Sequence, residues 1–205
     1  MTAIVVVSAG LGVPSSTRLL ADRLAATTAE TIVDVDVVNV ELRDVAHELT
    51  DHLLTGFPSP TLAVALDAVR RADGLIVVTP VFSASYSGLF KTFFDVLEAG
   101  TLDGTPVLVA ATGGTARHSL VLEHALRPLF SYLHAVVVPT GVFAATEDFG
   151  TTGLDARIAR AVGELAALLG TSVSAAVGHP GRRTVHDEFA APTPFELLLQ
   201  QVGAT

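Results

Sequence analysis

The sequence contains no cysteine, no tryptophan and only two tyrosines. Without thiol groups the chain can form no disulfide, thiolate nucleophile, zinc–cysteine site or iron–sulfur cluster. A chain without cysteine also fits a reducing compartment, and we therefore expect a cytoplasmic protein.

Positive charge is scarce as well. The chain has 12 Lys and Arg residues against 21 Asp and Glu residues, a net charge of −9, and no run of basic residues. Such a chain is a poor partner for nucleic acid or an anionic membrane surface. Apolar runs reach only about ten residues, too few to cross a bilayer. The start, MTAIVVVSAG, lacks the basic residues of a signal peptide and is typical of a strand.

The remaining composition is that of one α/β domain. Half of the 205 residues are hydrophobic and 16% are charged, enough for a full core. Short β-branched runs predict strands over 3–7, 32–40, 75–79, 107–112 and 135–139. Helical periodicity predicts helices over 16–29, 61–72, 88–99, 118–133 and 154–169. The alternation predicts a doubly wound parallel sheet.

Two segments are less regular. Residues 41–60 form a long connection with one possible helical turn around 45–54. We expect residues 1–170 to form the domain and 171–205 to form a tail. The tail ends in PTPFELLLQQV, which has an apolar helical face. It would pack on its own domain or on a second subunit.

The first loop at the carboxyl edge of the sheet is SAGLGVPSSTRLLADRL. Ligands of open parallel sheets bind at this edge. Ser15, Ser16 and Thr17 open a helix there, and with Ser8 they predict a phosphate cradle of hydroxyls and free amides. The alternative is simple N-capping, which needs one hydroxyl. The loop is a poor dinucleotide fingerprint because the third glycine is missing and Pro14 interrupts the turn.

The second loop is TPVFSASYSGLFKTFFDVL. Pro80 ends the strand, Phe82 and Tyr86 offer flat apolar surface, and Ser83 and Ser85 offer donors. A flat heteroaromatic ligand with polar edges needs this combination. The alternative is the start of a helix with exposed hydroxyls.

The third loop is ATGGTARHSL. Gly113 and Gly114 permit close approach of the backbone to a ligand, and Thr112, Thr115 and His118 could add polar contacts. His118 could equally be a cap or a surface residue. The three loops together suit FMN in a flavodoxin-like three-layer sandwich, with a five-stranded parallel sheet of order 2-1-3-4-5.

Three blocks carry a family resemblance: ADGLIVVTPVFSASYSGLFKTFFDVL, LDGTPVLVAATGGTARHSL and EHALRPLFSYLHAVVVPTGVFA. They run nearly unbroken over 72–144. The chain resembles the NAD(P)H-dependent FMN reductases, most of all the reductase components of two-component flavin-dependent monooxygenases, including the alkanesulfonate system. The resemblance is weaker in the N-terminal serine loop and slight in the last 35 residues.

The resemblance implies which residues contact FMN. It places the phosphate at Ser8, Ser16 and Thr17, with Ser15 less firmly matched. It places the ring against Pro80, Val81, Phe82 and Ser83, with Tyr86 nearby, and against Thr112, Gly113, Gly114 and Thr115. In the alkanesulfonate reductases an inserted tyrosine forms a π-helical bulge in the fourth helix, and His124 matches that position. Whether flavin is a bound cofactor or a substrate stays open, as does a purely interfacial role for His124.

The implied reaction is hydride transfer from NADPH or NADH to FMN, with no catalytic acid–base side chain required. Reduced FMN would pass to a partner monooxygenase. The resemblance also implies a homodimer or homotetramer, and the apolar helices at 88–99 and 118–133 support one. Two alternatives remain: an FMN-containing quinone or azo-compound reductase, and a non-enzymatic flavodoxin-type electron carrier. The carrier usually shields its ring with aromatic residues, which are few here.

Overall fold

The computed structural model describes residues 1–171, and the predicted apolar end of the tail lies outside this part. The strands are β1 (Thr2–Ser8), β2 (Val35–Glu41), β3 (Gly74–Phe82), β4 (Ser85–Tyr86), β5 (Pro106–Gly113), β6 (Val136–Val137) and β7 (Val142–Ala145). The helices are α1 (Ser16–Thr31), α2 (Ala46–Thr55), α3 (Pro60–Arg71), α4 (Gly88–Asp95), α5 (Arg127–Tyr132) and α6 (Thr152–Leu168).

The strands form one mainly parallel sheet in the order β2-β1-β3-β5-β6. The predicted parallel α/β sheet is therefore confirmed, but the predicted five strands are seven. Pro80 does not end β3 as predicted, because the strand continues to Phe82. The extra strand β4 pairs antiparallel with this continuation of β3. The last position is shared by β6 and β7, which both pair parallel with β5. Pro139, which has no N–H to donate to a ladder, lies between these two short strands.

The predicted helices differ from the structure mainly in their ends. The predicted turn around 45–54 is a full helix, α2, and the helix predicted over 88–99 ends at Asp95. The stretch predicted as one helix over 118–133 is divided. It starts at the end of a 3₁₀ turn (Ala116–His118) and contains a π-helix at Leu122–Leu126 followed by α5. No helix within residues 1–171 is long and apolar enough to cross a membrane.

Helices cover both faces of the sheet, which gives three layers. On one face α1 and α6 pack an aliphatic core that includes Leu20, Leu24 and Leu165. On the other face, α2, α3, α4 and α5 pack a core that is rich in phenylalanine. Each large apolar side chain buried in these cores contributes about 1.5–3 kcal/mol to stability. The two cores hold the strand ends in place at the edge described below.

The phenylalanines of α4 are buried within their own chain. Phe90 and Phe93 are fully buried, Phe94 is 2% exposed, and Phe130 packs edge-on against Phe90 and Phe94. The apolar character of the α4 region is thus largely explained by packing inside one subunit. It gives no independent support to the predicted oligomer.

Candidate active site

The three predicted loops meet at one edge of the sheet because β1, β3 and β5 are parallel neighbours. Ser8 pairs in register with Val78, and Pro80 pairs with Thr112. The N–H of Ala9 donates a 2.9 Å hydrogen bond to the Val78 carbonyl, which extends the pairing into the first loop. The carboxyl ends of these strands therefore converge, as expected for a ligand site of an open α/β sheet.

Ser15 is the N-cap of α1. Its Oγ accepts a 3.1 Å hydrogen bond from the Arg18 N–H, so the capping interpretation holds for this residue. Ser16 is exposed at the first helical position. The first amides of a helix have no carbonyl partner within it, and those of Ser16 and Thr17 are the ones free to meet an anion.

Thr17 joins the first loop to the third. Its Oγ1 lies 2.8 Å from Thr112 Oγ1, and each residue is 3% exposed. A buried hydrogen bond between two hydroxyls fixes the start of α1 against the end of β5. The hydroxyl of Thr17 is therefore partly engaged within the protein, a point that sequence spacing does not reveal.

Ser8 differs from its neighbours because its buried hydroxyl makes no hydrogen bond of good geometry within the described residues, and its polar interaction is with the Glu41 carboxylate. The residue is 1% exposed. A buried polar atom without a good hydrogen bond is uncommon in native structures and calls for an explanation. A ligand oxygen arriving at the first loop would supply the missing hydrogen bond.

Gly10 makes the turn of this loop possible. A Cβ atom at this position would lie 2.3 Å from Ser15 Oγ and 3.3 Å from Thr17 Cβ. Any side chain here would displace the capping serine. The loop therefore needs a glycine at this position for space rather than for backbone conformation.

The second loop is a β-hairpin, which the sequence did not predict. Val81 pairs with Tyr86 and Phe82 pairs with Ser85. The two turn residues, Ser83 and Ala84, have φ values of 47° and 66°, as a type I′ turn requires. Most such turns carry asparagine or glycine, so this sequence lacks the usual signal.

The hairpin separates exposed residues from structural ones. Phe82 is 47% exposed at the tip, and Ser83 is exposed beside it. Tyr86 instead lies against Phe90, with ring centroids 5.8 Å apart. Ser85 is half-buried. The tip therefore offers an aromatic ring and a hydroxyl to a ligand.

Thr79 and Ser87 join the base of the hairpin to α4. The Thr79 Oγ1 accepts a 3.0 Å hydrogen bond from the Ser87 N–H and donates to the Pro80 carbonyl. The Ser87 Oγ in turn caps α4 by accepting from the Phe90 N–H at 3.2 Å. Both hydroxyls are buried, so these two residues position the loop rather than contact a ligand.

The third loop leaves β5 through two glycines. A Cβ atom at Gly113 would lie 2.9 Å from the Phe143 ring, whereas one at Gly114 would meet nothing within 4 Å. Thr115 and His118 are both exposed, and His118 ends a 3₁₀ turn. Gly113 is thus required by the core, while Gly114 and Thr115 are open to a ligand.

A cavity of about 340 Å³ lies between the hairpin and the chain that follows β5. Val81 and Ser85 line one side, and Arg117, His118 and His124 line the other. His124 lies in the π-helix Leu122–Leu126, at the position to which the resemblance pointed. π-Helical turns are rare and often occur at functional sites.

One charged group beside the first loop was missed from the sequence. Glu41 ends β2, its Oε1 lies 3.3 Å from Arg18 Nε, and its side chain is only 12% exposed. Burial raises the pKa of the Glu41 carboxyl, and the Arg18 charge and the Ser8 hydroxyl oppose that shift. The signal in the sequence was a glutamate at the end of the strand that pairs with β1.

The fold and this edge together define a class of protein. A three-layer sandwich on a mainly parallel sheet carries a helix start rich in hydroxyls after its first strand and an exposed aromatic hairpin after its third. This is the arrangement of the flavodoxin-like nucleotide-binding proteins.

Comparison with known proteins identifies the family. The profile of the family described as NADPH-dependent FMN reductase matches residues 2–150. An FMN reductase (NADPH) of Pseudomonas aeruginosa is 41% identical over 172 residues, which cover 82% of this chain and 92% of that protein. An NADH-dependent FMN reductase, SfnF, of Pseudomonas fluorescens is 40% identical over 173 residues, 82% of this chain and 92% of that protein.

A solved structure agrees with both relatives. An oxidoreductase from Corynebacterium diphtheriae superposes with a TM-score of 0.78 at 49% identity, covering 83% of this chain and 97% of that one. The chain belongs to the NADPH-dependent FMN reductase family. The resemblance found in the sequence is thereby confirmed.

Proposed function

We propose that this protein is an NAD(P)H:FMN oxidoreductase that transfers a hydride from NADPH or NADH to FMN. The proposal rests on the arrangement of groups at the carboxyl edge of the sheet, in a chain that belongs to the FMN reductase family. There the buried, poorly hydrogen-bonded hydroxyl of Ser8 and the start of α1 lie at one end, and an exposed hairpin and a cavity lie at the other. This arrangement suits an elongated ligand with an anionic end and a flat end.

The first loop would hold the phosphate. Ser8 Oγ would donate to a phosphate oxygen, and the amides of Ser16 and Thr17 would do the same at the positive end of α1. Ser16 Oγ is exposed and could add a further bond. Ser15 would act through its cap, by holding the first turn in place.

The second and third loops would hold the ring. Pro80, Val81, Phe82 and Ser83 with Tyr86 would lie at one edge of it, and Thr112, Gly113, Gly114, Thr115 and His118 at another. When bound, FMN supplies the ring that accepts the hydride. Backbone N–H groups of these loops would stabilise the negative charge that develops there. No side chain of the site needs to act as a catalytic acid or base.

The cavity beside the hairpin would receive the nicotinamide nucleotide. Arg117 is a permanent cation on its wall, and His118 and His124 stand beside it. In a chain with a net charge of −9, such a group of cationic and titratable side chains suits a phosphate of the dinucleotide. The open side of the cavity would let this substrate leave after the transfer.

Several wider expectations also remain proposals. Reduced FMN would pass to a flavin-dependent monooxygenase, and the exposed hairpin supports an exchangeable flavin.

Exposed apolar side chains, among them Leu54, Phe57, Leu120 and Tyr132, support a homodimer or homotetramer, which light scattering over a range of concentrations would test. Residues 1–170 would form the FMN-binding domain, and 171–205 would pack on it or on a second subunit. Cell fractionation would test the cytoplasmic location.

The test is aerobic oxidation of NADPH and NADH by the purified protein, with and without added FMN. Turnover that requires free FMN and saturates with it is the expected result. No oxidation of either nucleotide in the presence of FMN would contradict the proposal. Tightly retained FMN, with turnover only on a quinone or azo dye, would instead favour an FMN-containing quinone or azo-compound reductase. The substrate of such an enzyme could also enter the open cavity.

A further inference from the structure

Glu41 lies beside the loop that would hold the flavin phosphate. It pairs in register with Ser8 at the carboxyl ends of β2 and β1. Its side chain is largely buried, and its ion-pair partner among residues 1–171 is Arg18, on the first turn of α1.

The charges around this loop are unbalanced. Arg18 is shared between Glu41 at 3.3 Å and Asp22 at 3.0 Å. Arg43 donates to the Gly12 carbonyl at 3.3 Å and lies 3.9 Å from Asp44. These two guanidinium groups thus face three carboxylates. A phosphate entering the loop would meet hydroxyls and amides, but both of these cations are already paired with a carboxylate.

We propose that the Glu41 carboxylate weakens the binding of the flavin phosphate and so keeps FMN an exchangeable substrate. The inference rests on the proposed function, since it needs the phosphate at the first loop. Glu41 acts in two ways: it holds the Arg18 guanidinium that a phosphate would otherwise attract, and its charge repels the phosphate. Glu41 is therefore a specificity-determining residue that narrows the preference for FMN over riboflavin.

The experiment compares the dissociation constants of FMN and riboflavin, measured by quenching of flavin fluorescence. Riboflavin has the same ring without the phosphate. We expect Glu41→Gln to bind FMN about tenfold more tightly, since one nearby charge in a partly exposed site is removed. Riboflavin affinity should change less than about twofold, because an uncharged ligand does not feel the charge. The E41Q protein should also retain FMN longer during gel filtration.

Two further variants control the result. Glu30→Gln changes the net charge equally at the exposed far end of α1 and should leave both affinities unchanged. Arg18→Gln should shift FMN affinity in the opposite direction, weakening it several-fold, because Glu41 then stands unpaired beside the phosphate. A thermal melt of each variant establishes that it is folded.

Three outcomes would overturn the inference while leaving the proposed function intact, provided that the unmodified protein oxidises NADPH with FMN. The first is an FMN affinity of E41Q equal to that of the unmodified protein. The second is weaker FMN binding, which would mean that Glu41 positions Arg18 for the phosphate. The third is equal tightening for riboflavin and FMN. If the unmodified protein neither binds FMN nor oxidises NADPH with it, both proposals fail together.

Discussion

Two partly buried glutamates of this protein have opposite surroundings. Glu164 on α6 accepts hydrogen bonds from the Thr140 N–H at 2.6 Å, from Thr140 Oγ1 at 2.7 Å and from Arg160 at 3.2 Å. Burial acts to raise the pKa of Glu164, but the bonds from Thr140 and Arg160 outweigh it and the pKa is lowered. Glu41 has one cation at 3.3 Å, and burial raises its pKa.

The difference separates a carboxylate that the fold satisfies from one beside the proposed phosphate loop. The Glu164 carboxylate links α6 to the chain between β6 and β7, and its charge is satisfied by the hydrogen bonds from Thr140 and Arg160. Glu41 and the nearby Ser8 hydroxyl are poorly satisfied, and both lie at the first loop. Polar groups that the fold leaves without full hydrogen bonding indicate where a ligand could bind.

The largest expected effect comes from neutralising each glutamate in turn. Glu164→Gln should lower the free energy of unfolding by about 2 kcal/mol at neutral pH, because charge-assisted hydrogen bonds are lost. Glu41→Gln should change it by less than about 0.5 kcal/mol, or raise it, because burial already disfavours that charge. Urea unfolding of both variants measures the two values. Equal losses of unfolding free energy in the two variants would contradict the difference between the two glutamates.

The pH dependence should have opposite signs. The pKa of Glu164 is lowered on folding, so its stabilisation is present above the unfolded value of about 4.3 and is lost as the pH falls through its folded pKa. The pKa of Glu41 is raised, so its favourable contribution exists at low pH and is lost as the pH rises through its folded pKa.

Unfolding of the two variants at several pH values between neutral and acidic tests these signs. Acidification should shrink the stability deficit of E164Q. Any stability gain of E41Q over the unmodified protein should also shrink, because Glu41 becomes protonated. If the stability gain of E41Q over the unmodified protein grew on acidification, the raised pKa of Glu41 would be contradicted.

The buried hydroxyl groups of Thr17, Thr112 and Ser8 can be compared in the same way, by their effects on stability and on binding. Thr17→Val or Thr112→Val alone should cost about 1–2 kcal/mol of unfolding free energy, because each leaves its partner hydroxyl unpaired. The double variant should cost less than the sum of the two. Ser8→Ala should change the free energy of unfolding less than either threonine variant, since within residues 1–171 its Oγ interacts with the Glu41 carboxylate without a hydrogen bond of good geometry.

The same Ser8→Ala variant should weaken FMN binding about fivefold, because a hydrogen bond to a charged phosphate is lost. Fluorescence titration with FMN measures it. A stability loss like that of T17V, with unchanged FMN affinity, would show that the Ser8 hydroxyl serves the fold instead.

The smallest effect concerns the hairpin. Ser83 and Ala84 hold left-handed backbone that asparagine and glycine adopt more readily. The double change Ser83→Asn and Ala84→Gly should raise the free energy of unfolding by about 0.5–1 kcal/mol, as measured in urea. As a control, Gly163→Ala in α6, where the added Cβ meets no atom within 4 Å, should stabilise through helix propensity alone. No gain in the hairpin variant would mean that its turn is already relaxed.

Local sequence signals were sufficient for the five main parallel strand runs and for the loops that follow them, but not for the short strands β4 and β7. Apolar runs and capping serines are read within a few residues, so the starts of α1 and α4 and the ends of β1 and β5 could be predicted, whereas β3 runs three residues beyond its predicted end. The hairpin could not, because its turn lacks asparagine and glycine. Glu41 could not either, since its position beside Ser8 depends on the pairing of β2 with β1.

The contact between Thr17 and Thr112 also constrains the direction in which hydrogen atoms point. Either hydroxyl can be the donor across the 2.8 Å distance. A phosphate that takes the hydrogen of Thr17 leaves Thr112 to donate toward Thr17, so Thr112 then presents only lone pairs to the ring end. If the first loop holds a phosphate as proposed, the anion would thus set the direction of a hydroxyl at the ring end of the site by reversing a single hydrogen bond.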